Sequence, residues 1–156
     1  MNINGRVAGV GGWLGCLIAI LFIGGAFSLL TSFNGAAWKE VEKQNPSLLT
    51  HTAFQNLQMM DRGIQFVAGF LLIYCGYILY SKAVPETLKT AKIIIGLVYP
   101  LSVIFRDLFA PYFFLGLYLS DNEVVGEVTR AVVWAVVWSL YLYRSERVKN
   151  TYTNAI

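Results

Sequence analysis

The sequence predicts an all-α integral membrane protein, a four-helix bundle that forms a single domain over residues 1–156. Charged residues make up 13% of the chain and apolar residues 56%, whereas soluble domains are about 25% charged. The apolar residues gather in four runs, each long enough to cross a hydrocarbon core of about 30 Å once. Backbone polar groups in lipid must be satisfied within the segment, so these runs are predicted to be helices.

The four spans are predicted at residues 12–33, 63–81, 92–110 and 124–143. The first run follows Arg6, so a signal peptide is the alternative. The apolar region of a signal peptide is about 7–15 residues long. The uncharged run here is longer, and we interpret it as a retained transmembrane helix.

Basic residues are unevenly distributed over the two sides of the membrane. Seven fall on the side that would hold both termini and the second connection, and three fall in the first connection. Because cytoplasmic segments carry the excess of Lys and Arg, both termini are predicted to be cytoplasmic. The seven are Arg6, Lys82, Lys89, Lys92, Arg144, Arg147 and Lys149, and the three are Lys39, Lys43 and Arg62.

The first connection, residues 34–62, is the only long segment outside the predicted spans. Pro46 is a plausible helix start, and Leu49, Ala53, Leu57 and Met60 then recur at near-helical spacing. We therefore expect a short amphipathic helix here. It either caps the bundle or lies on the outer membrane surface.

Four charged residues interrupt the last two spans: Arg106 and Asp107, then Glu127 and Arg130. At 1.5 Å per residue, Arg106 is about 21 Å from the inner end of its span and Arg130 about 9 Å from the outer end of the next. Both lie in the outer third of the bilayer by this estimate. We expect Asp107 to pair with Arg130 and Arg106 to pair with Glu127.

Asp61 and Arg62, at the outer end of the second span, are close enough in depth to join these four charges in one polar cluster. Charges within a membrane are costly and are functional candidates by default. The cluster is either an ion-pair clasp that fixes the third helix to the fourth, or a pocket open to the outside. Such a pocket would bind an ion, a lipid headgroup or a small polar molecule.

Small residues recur at helical spacing along the first span and also occur on the second. Such ridges allow helix backbones to approach closely. The partner is either another helix of the same bundle or a second copy of the chain. The residues concerned are Gly11, Gly12, Gly15, Ala19, Gly69 and Gly76.

Two prolines lie in or near the third span. Pro100 is mid-span and removes one backbone hydrogen bond, so a kink is expected there. Pro111 is expected to end or bend the helix at the outer interface.

The segment after the fourth span is basic and also contains residues suited to packing. Its cations would be attracted to anionic lipid by about 1 kcal/mol each. It is either a membrane anchor or a docking site for a cytoplasmic partner, since an anchor alone would not require the apolar and aromatic residues. The tail residues are Arg144, Arg147, Val148, Lys149, Thr151 and Tyr152.

Enzyme, metal and nucleic-acid functions are not indicated. His51 is the sole histidine and lies in a connection, and Cys16 and Cys75 lie inside apolar runs. A metal site needs three or four ligands at suitable spacing, so no metal and no cofactor are predicted. Basic residues do not form a stripe on one helix, so no nucleic-acid partner is expected.

Several separated stretches resemble a family of small bacterial inner-membrane proteins, the domain of unknown function 2569. The resemblance begins at Gly11-Gly12-Trp13-Leu14 and continues with Trp38, Asp61 and Pro85. It is most specific in Arg130, Trp138 and the closing stretch Tyr143-Arg144-Ser145-Glu146-Arg147-Val148-Lys149-Asn150-Thr151-Tyr152. The family usually has glutamate where Asp61 stands, and Ser139-Leu140 replaces its Ile-Pro. The resemblance implies four spans and a bacterial inner membrane, and it implies no activity.

Two functions compete. The first is a non-enzymatic scaffold or accessory subunit, acting through helix packing and the basic tail on an unidentified membrane protein or in a homo-oligomer. The second is a small oligomeric transporter or channel component that uses the outer charge cluster. Four helices are few for a transporter, and no inverted repeat is evident, so this second function would require oligomerisation.

Overall fold

The computed structural model describes residues 9–116 and 122–152, and within these two ranges the chain is helical, with no strand. Arg6, which contributes to the charge bias, lies outside the described residues. The helices are α1 (Gly12–Asn34), α2 (Ala36–Gln44), α3 (Thr52–Ser81), α4 (Pro85–Ile93), α5 (Tyr99–Ile104), α6 (Ala110–Leu115), α7 (Asn122–Arg144) and α8 (Glu146–Tyr152).

Four helical segments are long and apolar enough to cross a membrane, which confirms the predicted fold class. They cover Gly12–Gln44, Thr52–Ser81, Pro85–Leu115 and Val124–Arg144. The bundle has two ends, which we name by the short helices that lie there: the α2 end and the α8 end.

The first connection departs from its predicted boundaries. Pro46 begins a 3₁₀ turn, Pro46–Thr50, and the helix that follows from Thr52 is continuous with the second span. The predicted amphipathic segment is therefore the first part of α3, because nothing between Thr52 and Ser81 interrupts the helical hydrogen bonds. The short helix of the connection is instead α2. It starts directly after Gly35, whose backbone is in the left-handed conformation with φ 59°.

The third span is divided by two π-helical turns, Ile94–Val98 and Phe105–Phe109. Each turn directly precedes a segment with proline at its second position, Pro100 or Pro111. Tyr99 N–H donates to the Ile94 carbonyl and Ala110 N–H to the Phe105 carbonyl, five residues back in each case. The widened turns accommodate prolines that cannot donate hydrogen bonds. Pro111 therefore does not end the helix, which continues to Leu115.

The closest approach between spans joins α1 to α3 at a pair of glycines. A methyl group on Gly25 would lie 2.7 Å from the Gly69 carbonyl oxygen, and one on Gly69 would lie 2.9 Å from the Gly25 oxygen. A methyl group on Gly76 would lie 3.3 Å from the Phe22 ring. Gly69 and Gly76 thus pack against α1, as the small-residue pattern predicted, and Gly25 is a further member that the pattern missed.

Among the described residues, the other small residues at this end of the first span do not pack against another span. A methyl group on Gly15 would meet no atom within 4 Å, and Ala19 is exposed. Gly11 and Gly12 face the Arg147 guanidinium, since a methyl group on Gly11 would lie 2.9 Å from its Nη1 atom. Within the described residues, the prediction that this ridge meets another helix of the same bundle is therefore wrong for Gly15 and Ala19, while contact with a second copy stays open. Gly11 and Gly12 meet a side chain of α8 rather than another span.

The main apolar core lies toward the α8 end. It is built from one side of α1, the second half of α3, α4 with the π turn that follows it, and the last part of α7. Its fully buried members include Leu14, Leu17, Cys75, Ile95 and Leu142.

The α8 helix closes this core from the end of the bundle. Val148 and Tyr152 are almost fully buried in it. Burial raises the pKa of Tyr152 to about 12, so its hydroxyl stays protonated and donates a hydrogen bond to the Leu79 carbonyl. Thr151 accepts a hydrogen bond from Gly9 N–H at 2.9 Å. Val148, Thr151 and Tyr152, the residues that had suggested docking to a cytoplasmic partner, are thus packed within the chain itself.

Candidate functional site: a polar cleft near the α2 end

Asp61 is the buried centre of a polar network in α3. Only 3% of the residue is exposed. Its Oδ2 atom accepts hydrogen bonds from Trp38 Nε1 at 2.7 Å and from Gln65 Nε2 at 2.8 Å. Trp38 is oriented by edge-to-face packing on Phe54, with ring centroids 5.5 Å apart. The α2 helix thereby covers the carboxylate from the α2 end.

Gln65 extends this network to α1. Thr31 Oγ1 donates to Gln65 Oε1 at 2.8 Å, and Ser28 Oγ donates to the Gln65 backbone carbonyl at 2.9 Å. A buried carboxylate is stable only where its oxygens are paired and its partners are themselves satisfied. Among the described residues, no buried side-chain polar atom lacks a hydrogen-bond partner.

The third span contributes Arg106 and Asp107 from its second π turn. Arg106 Nε lies 2.6 Å from Asp107 Oδ1 and 3.7 Å from Asp61 Oδ1. A second Arg106 nitrogen donates to Asp107 Oδ2 at 3.0 Å. One guanidinium therefore serves two carboxylates, and it links α3 to the third span.

Glu127 and Arg130 pair with each other on α7. Arg130 Nη2 donates to Glu127 Oε1 at 2.9 Å, and Arg130 Nε donates to the Gly126 carbonyl at 3.3 Å. The predicted pairs, Asp107 with Arg130 and Arg106 with Glu127, are therefore wrong. Each arginine has an acidic neighbour on its own helix at i+1 or i−3, and this local geometry is satisfied without bridging the two spans.

The five charged residues nonetheless surround one space. A cavity of about 530 Å³ is lined by Asp61, Arg106, Asp107, Glu127 and Arg130 together with Trp38, Pro111 and Val124. We call this cavity the polar chamber. The α7 pair lies on one side of it, and the buried Asp61 with the half-buried Arg106 and Asp107 lies on the other.

A second cavity of about 440 Å³, which we call the lower chamber, shares Arg106, Glu127 and Arg130 with the polar chamber. Its walls come from all four spans. Phe27, Leu72, Val103, Ala131 and Trp134 make it largely apolar, and Ser28, Thr31, Gln65 and Ser102 add hydroxyl and amide groups. The two chambers together form the polar cleft.

Arg62, the sixth residue of the predicted cluster, lies elsewhere. Its guanidinium sits over the turn between α1 and α2, where a methyl group on Gly35 would be 2.5 Å from Nη2. Its backbone carbonyl accepts a hydrogen bond from Ser32 Oγ at 2.9 Å. Arg62 follows Asp61 directly, so the two side chains leave α3 about 100° apart and only Asp61 faces the cleft.

Sequence reasoning missed Trp38, Gln65, Thr31 and Ser28 as members of the site. A signal for three of them was present. Gln65 follows Asp61 by one helical turn, and Ser28 and Thr31 are three apart in an otherwise apolar span. Polar residues at i, i+3 or i+4 on a transmembrane helix indicate an inward-facing polar stripe. Trp38 was noted only among the residues that resemble a known family.

The cleft is chemically suited to binding charged groups. Its lining holds two guanidinium groups and three carboxylates, and it includes neither cysteine nor histidine. Within the described residues, no group of three or more His, Cys, Asp and Glu side chains is arranged to hold a metal ion.

Comparison with curated proteins and with solved structures finds no match. A family comparison, in contrast, matches residues 7–153, nearly the whole chain, including every residue of the polar cleft. The chain therefore belongs to the family described as Protein of unknown function (DUF2569).

Proposed function

We propose that this protein is a non-enzymatic component of the bacterial inner membrane that binds a small charged ligand in its polar cleft. The observation that carries the proposal is the chamber of about 530 Å³ lined by charged residues from three spans. Charges are costly to retain inside a membrane and typically mark binding sites or pathways there. The non-enzymatic part of the proposal is supported by the contacts in the lining, where each arginine is paired with a neighbouring carboxylate.

The proposed orientation puts both termini in the cytoplasm and the polar cleft near the periplasmic face. The excess of basic residues in the segments predicted to be cytoplasmic supports it, with seven Lys and Arg residues against three in the first connection. Arg144 and Lys149 are exposed at that end and would contact anionic headgroups of the inner leaflet.

A binding site explains the geometry better than an ion-pair clasp. A clasp between the third and fourth spans would pair charges across the two helices and leave little space between them. Here Glu127 and Arg130 pair within α7, with side chains 50% and 73% exposed, and they face an open chamber. Such a pair contributes little stability. A contribution to stability therefore does not explain why these two charged residues occur within the span.

The test uses purified protein in a neutral detergent and follows its thermal midpoint with four soluble probes. These are inorganic phosphate, ethanolamine, O-phosphoethanolamine and phosphocholine. A ligand that binds only the folded state raises the midpoint in a concentration-dependent manner. We expect a probe with both charges to stabilise the parent and the control Lys43→Gln, which alters an exposed cation outside the cleft, but not Arg130→Gln. A midpoint unchanged by all four probes would contradict the proposal.

A scaffold or accessory subunit is the second candidate, and one observation favours it. Gly15 and Ala19 form a small-residue face of α1 that no helix of the described chain covers. A second copy or another membrane protein would fit such a face. Under this function, Gly15→Leu would reduce the mass of the detergent-solubilised complex. A parent protein that is monomeric in mild detergent and captures no stoichiometric partner would exclude it. An oligomeric transporter or channel component would combine this face with the cleft.

A further inference from the structure

We infer that the ligand of the polar cleft is a membrane lipid whose headgroup carries a phosphate and a primary ammonium. The lipid enters sideways between α1 and α7. This inference rests on the ligand-binding function proposed above and specifies the ligand class and its route.

The first argument is the amphipathic shape of the cleft. The polar chamber and the lower chamber meet at Arg106, Glu127 and Arg130. Beyond this junction the walls are mainly apolar, with Leu72, Trp134 and other side chains facing the space. A lipid could place its charged headgroup in the polar chamber and its apolar part in the lower chamber. Each part would then contact walls of matching polarity. A soluble polar molecule would leave the apolar walls without a partner.

The second argument concerns the anionic part of the headgroup. A guanidinium has five N–H donors, and the hydrogen bonds of Arg130 to Gly126 and Glu127 use its Nε atom and one Nη2 donor. Arg106, by contrast, is shared between Asp107 and Asp61. Arg130 is therefore the cation available to a phosphate, which it can bind through two parallel hydrogen bonds.

The third argument concerns the cationic part. Three carboxylates and two guanidinium groups line the polar chamber, so the lining carries one net negative charge. An anionic ligand without a compensating cation would add to this excess. A zwitterion places its phosphate on Arg130 and its ammonium among the carboxylates of Asp107, Glu127 and Asp61. A primary ammonium also donates hydrogen bonds to these oxygens, which a quaternary one cannot do.

The fourth argument is an opening toward the lipid. Gly24 lines the lower chamber on α1, is exposed, and has no atom within 4 Å of the position of a methyl group. Phe27, one turn away and also lining, is 67% exposed. Arg130 lies on the other side of this gap, on α7. It is six residues beyond Val124, which puts it about 9 Å from Val124 along the helix axis. A bilayer lipid can reach Arg130 through this gap without leaving the membrane.

The experiment measures lipids retained by the purified protein in native mass spectrometry. Phosphatidylethanolamine, phosphatidylcholine and phosphatidylglycerol are added at equal concentration. We expect phosphatidylethanolamine to be retained about tenfold over phosphatidylglycerol, the size of effect of one charge-assisted contact. Arg130→Gln should lower its retention by a similar factor.

Gly24→Trp tests the route, and Gly15→Trp is its matched control. Both positions lie on α1 and neither has an atom within 4 Å of a methyl group, but only Gly24 lines the cleft. We expect Gly24→Trp to abolish phosphatidylethanolamine retention and Gly15→Trp to leave it at the parental level. Equal retention by the two variants, or equal retention of the three lipids, would overturn the inference.

The soluble probes separate this inference from the proposed function. If O-phosphoethanolamine stabilises the parent but phosphatidylethanolamine is not selectively retained, the cleft binds a soluble zwitterion and only the lipid inference fails. If neither the soluble probes nor the lipids bind, both fail.

Discussion

Asp61 on α3 and Arg106 on the third span face each other with 3.7 Å between Oδ1 and Nε. The Asp61 side chain is 4% exposed and that of Arg106 is 32% exposed. Arg106 is closer to Asp107, at 2.6 Å, but that contact lies within one helix. The Asp61 interaction is therefore the one that joins two spans, and it holds one wall of the polar chamber in place.

Replacing Asp61 with alanine should destabilise the bundle by about 3–5 kcal/mol. The change removes the acceptor of the Trp38 and Gln65 side chains and leaves their N–H donors without this partner. It also removes the carboxylate through which Arg106 contacts α3, although Arg106 keeps its contact with Asp107. Chemical or thermal denaturation in detergent measures the loss.

Glu127→Gln is the matched control, since Glu127 also carries an ion pair in the same chamber but its side chain is half exposed. Its effect should stay within about 1 kcal/mol. Equal stability of Asp61→Ala and Glu127→Gln would mean that Asp61 does not organise the cleft.

Replacing Gly25 with leucine should prevent α1 from packing on α3. A methyl group at this position would already lie 2.7 Å from the Gly69 carbonyl oxygen, and backbone atoms cannot rotate away. We expect aggregation or loss of the folded monomer in size-exclusion chromatography. Gly15→Leu, on the same helix, should leave the folded monomer intact because no atom of the described residues lies within 4 Å of a methyl group there. Normal folding of Gly25→Leu would show that the two helices are farther apart.

Sequence reasoning predicted the four spans and five of the residues that line the cleft, because long apolar runs and the charges that interrupt them can both be read directly from the sequence. It did not identify the ion pairs. Whether Arg106 turns toward Asp107 or across to Glu127 depends on the π turn at Phe105–Phe109, which shifts side-chain directions and has no reliable sequence signal. The boundary at Thr52 was missed because the polar residues before Gly63 resemble a separate surface helix.

The tail illustrates the same difficulty. Val148, Thr151 and Tyr152 were recognised as residues for packing, but the sequence does not show against what they pack. Folding back onto Leu79 and Gly9 depends on the bend at Ser145, between α7 and α8. Glycines at 11 and 12 similarly suggested a helix contact, whereas the nearby group is the Arg147 side chain.

Replacing Tyr152 with alanine should cost about 3–5 kcal/mol, as for other large buried aromatics. Tyr152→Phe removes only the hydrogen bond to the Leu79 carbonyl and should cost about 1 kcal/mol. Tyr143→Phe, at a 69% exposed tyrosine of the same end, should have no measurable effect. These differences are read from denaturation midpoints. A Tyr152→Ala variant as stable as Tyr143→Phe would show that α8 is not docked.

Single cysteines should report the orientation when Cys16 and Cys75 are replaced with alanine. Ser47→Cys should react with a membrane-impermeant thiol reagent added to the periplasmic side of intact cells. Lys149→Cys should react only after the inner membrane is permeabilised. Both positions are exposed, so burial does not explain a difference between them. Labelling of Lys149→Cys in intact cells would reverse the proposed orientation.

The most direct test of the cleft is the reactivity of Ser28→Cys toward a charged, water-soluble thiol reagent in the same cysteine-free background. Ser28 lines the lower chamber, and Leu30, two residues closer to the α2 end, is 63% exposed on the outside of α1. A thiol in hydrocarbon reacts slowly because it does not ionise. A water-accessible cleft predicts that Ser28→Cys reacts at least about tenfold faster than Leu30→Cys, although it lies deeper. Equal rates, or a faster reaction of Leu30→Cys, would contradict the presence of a polar cleft within the membrane.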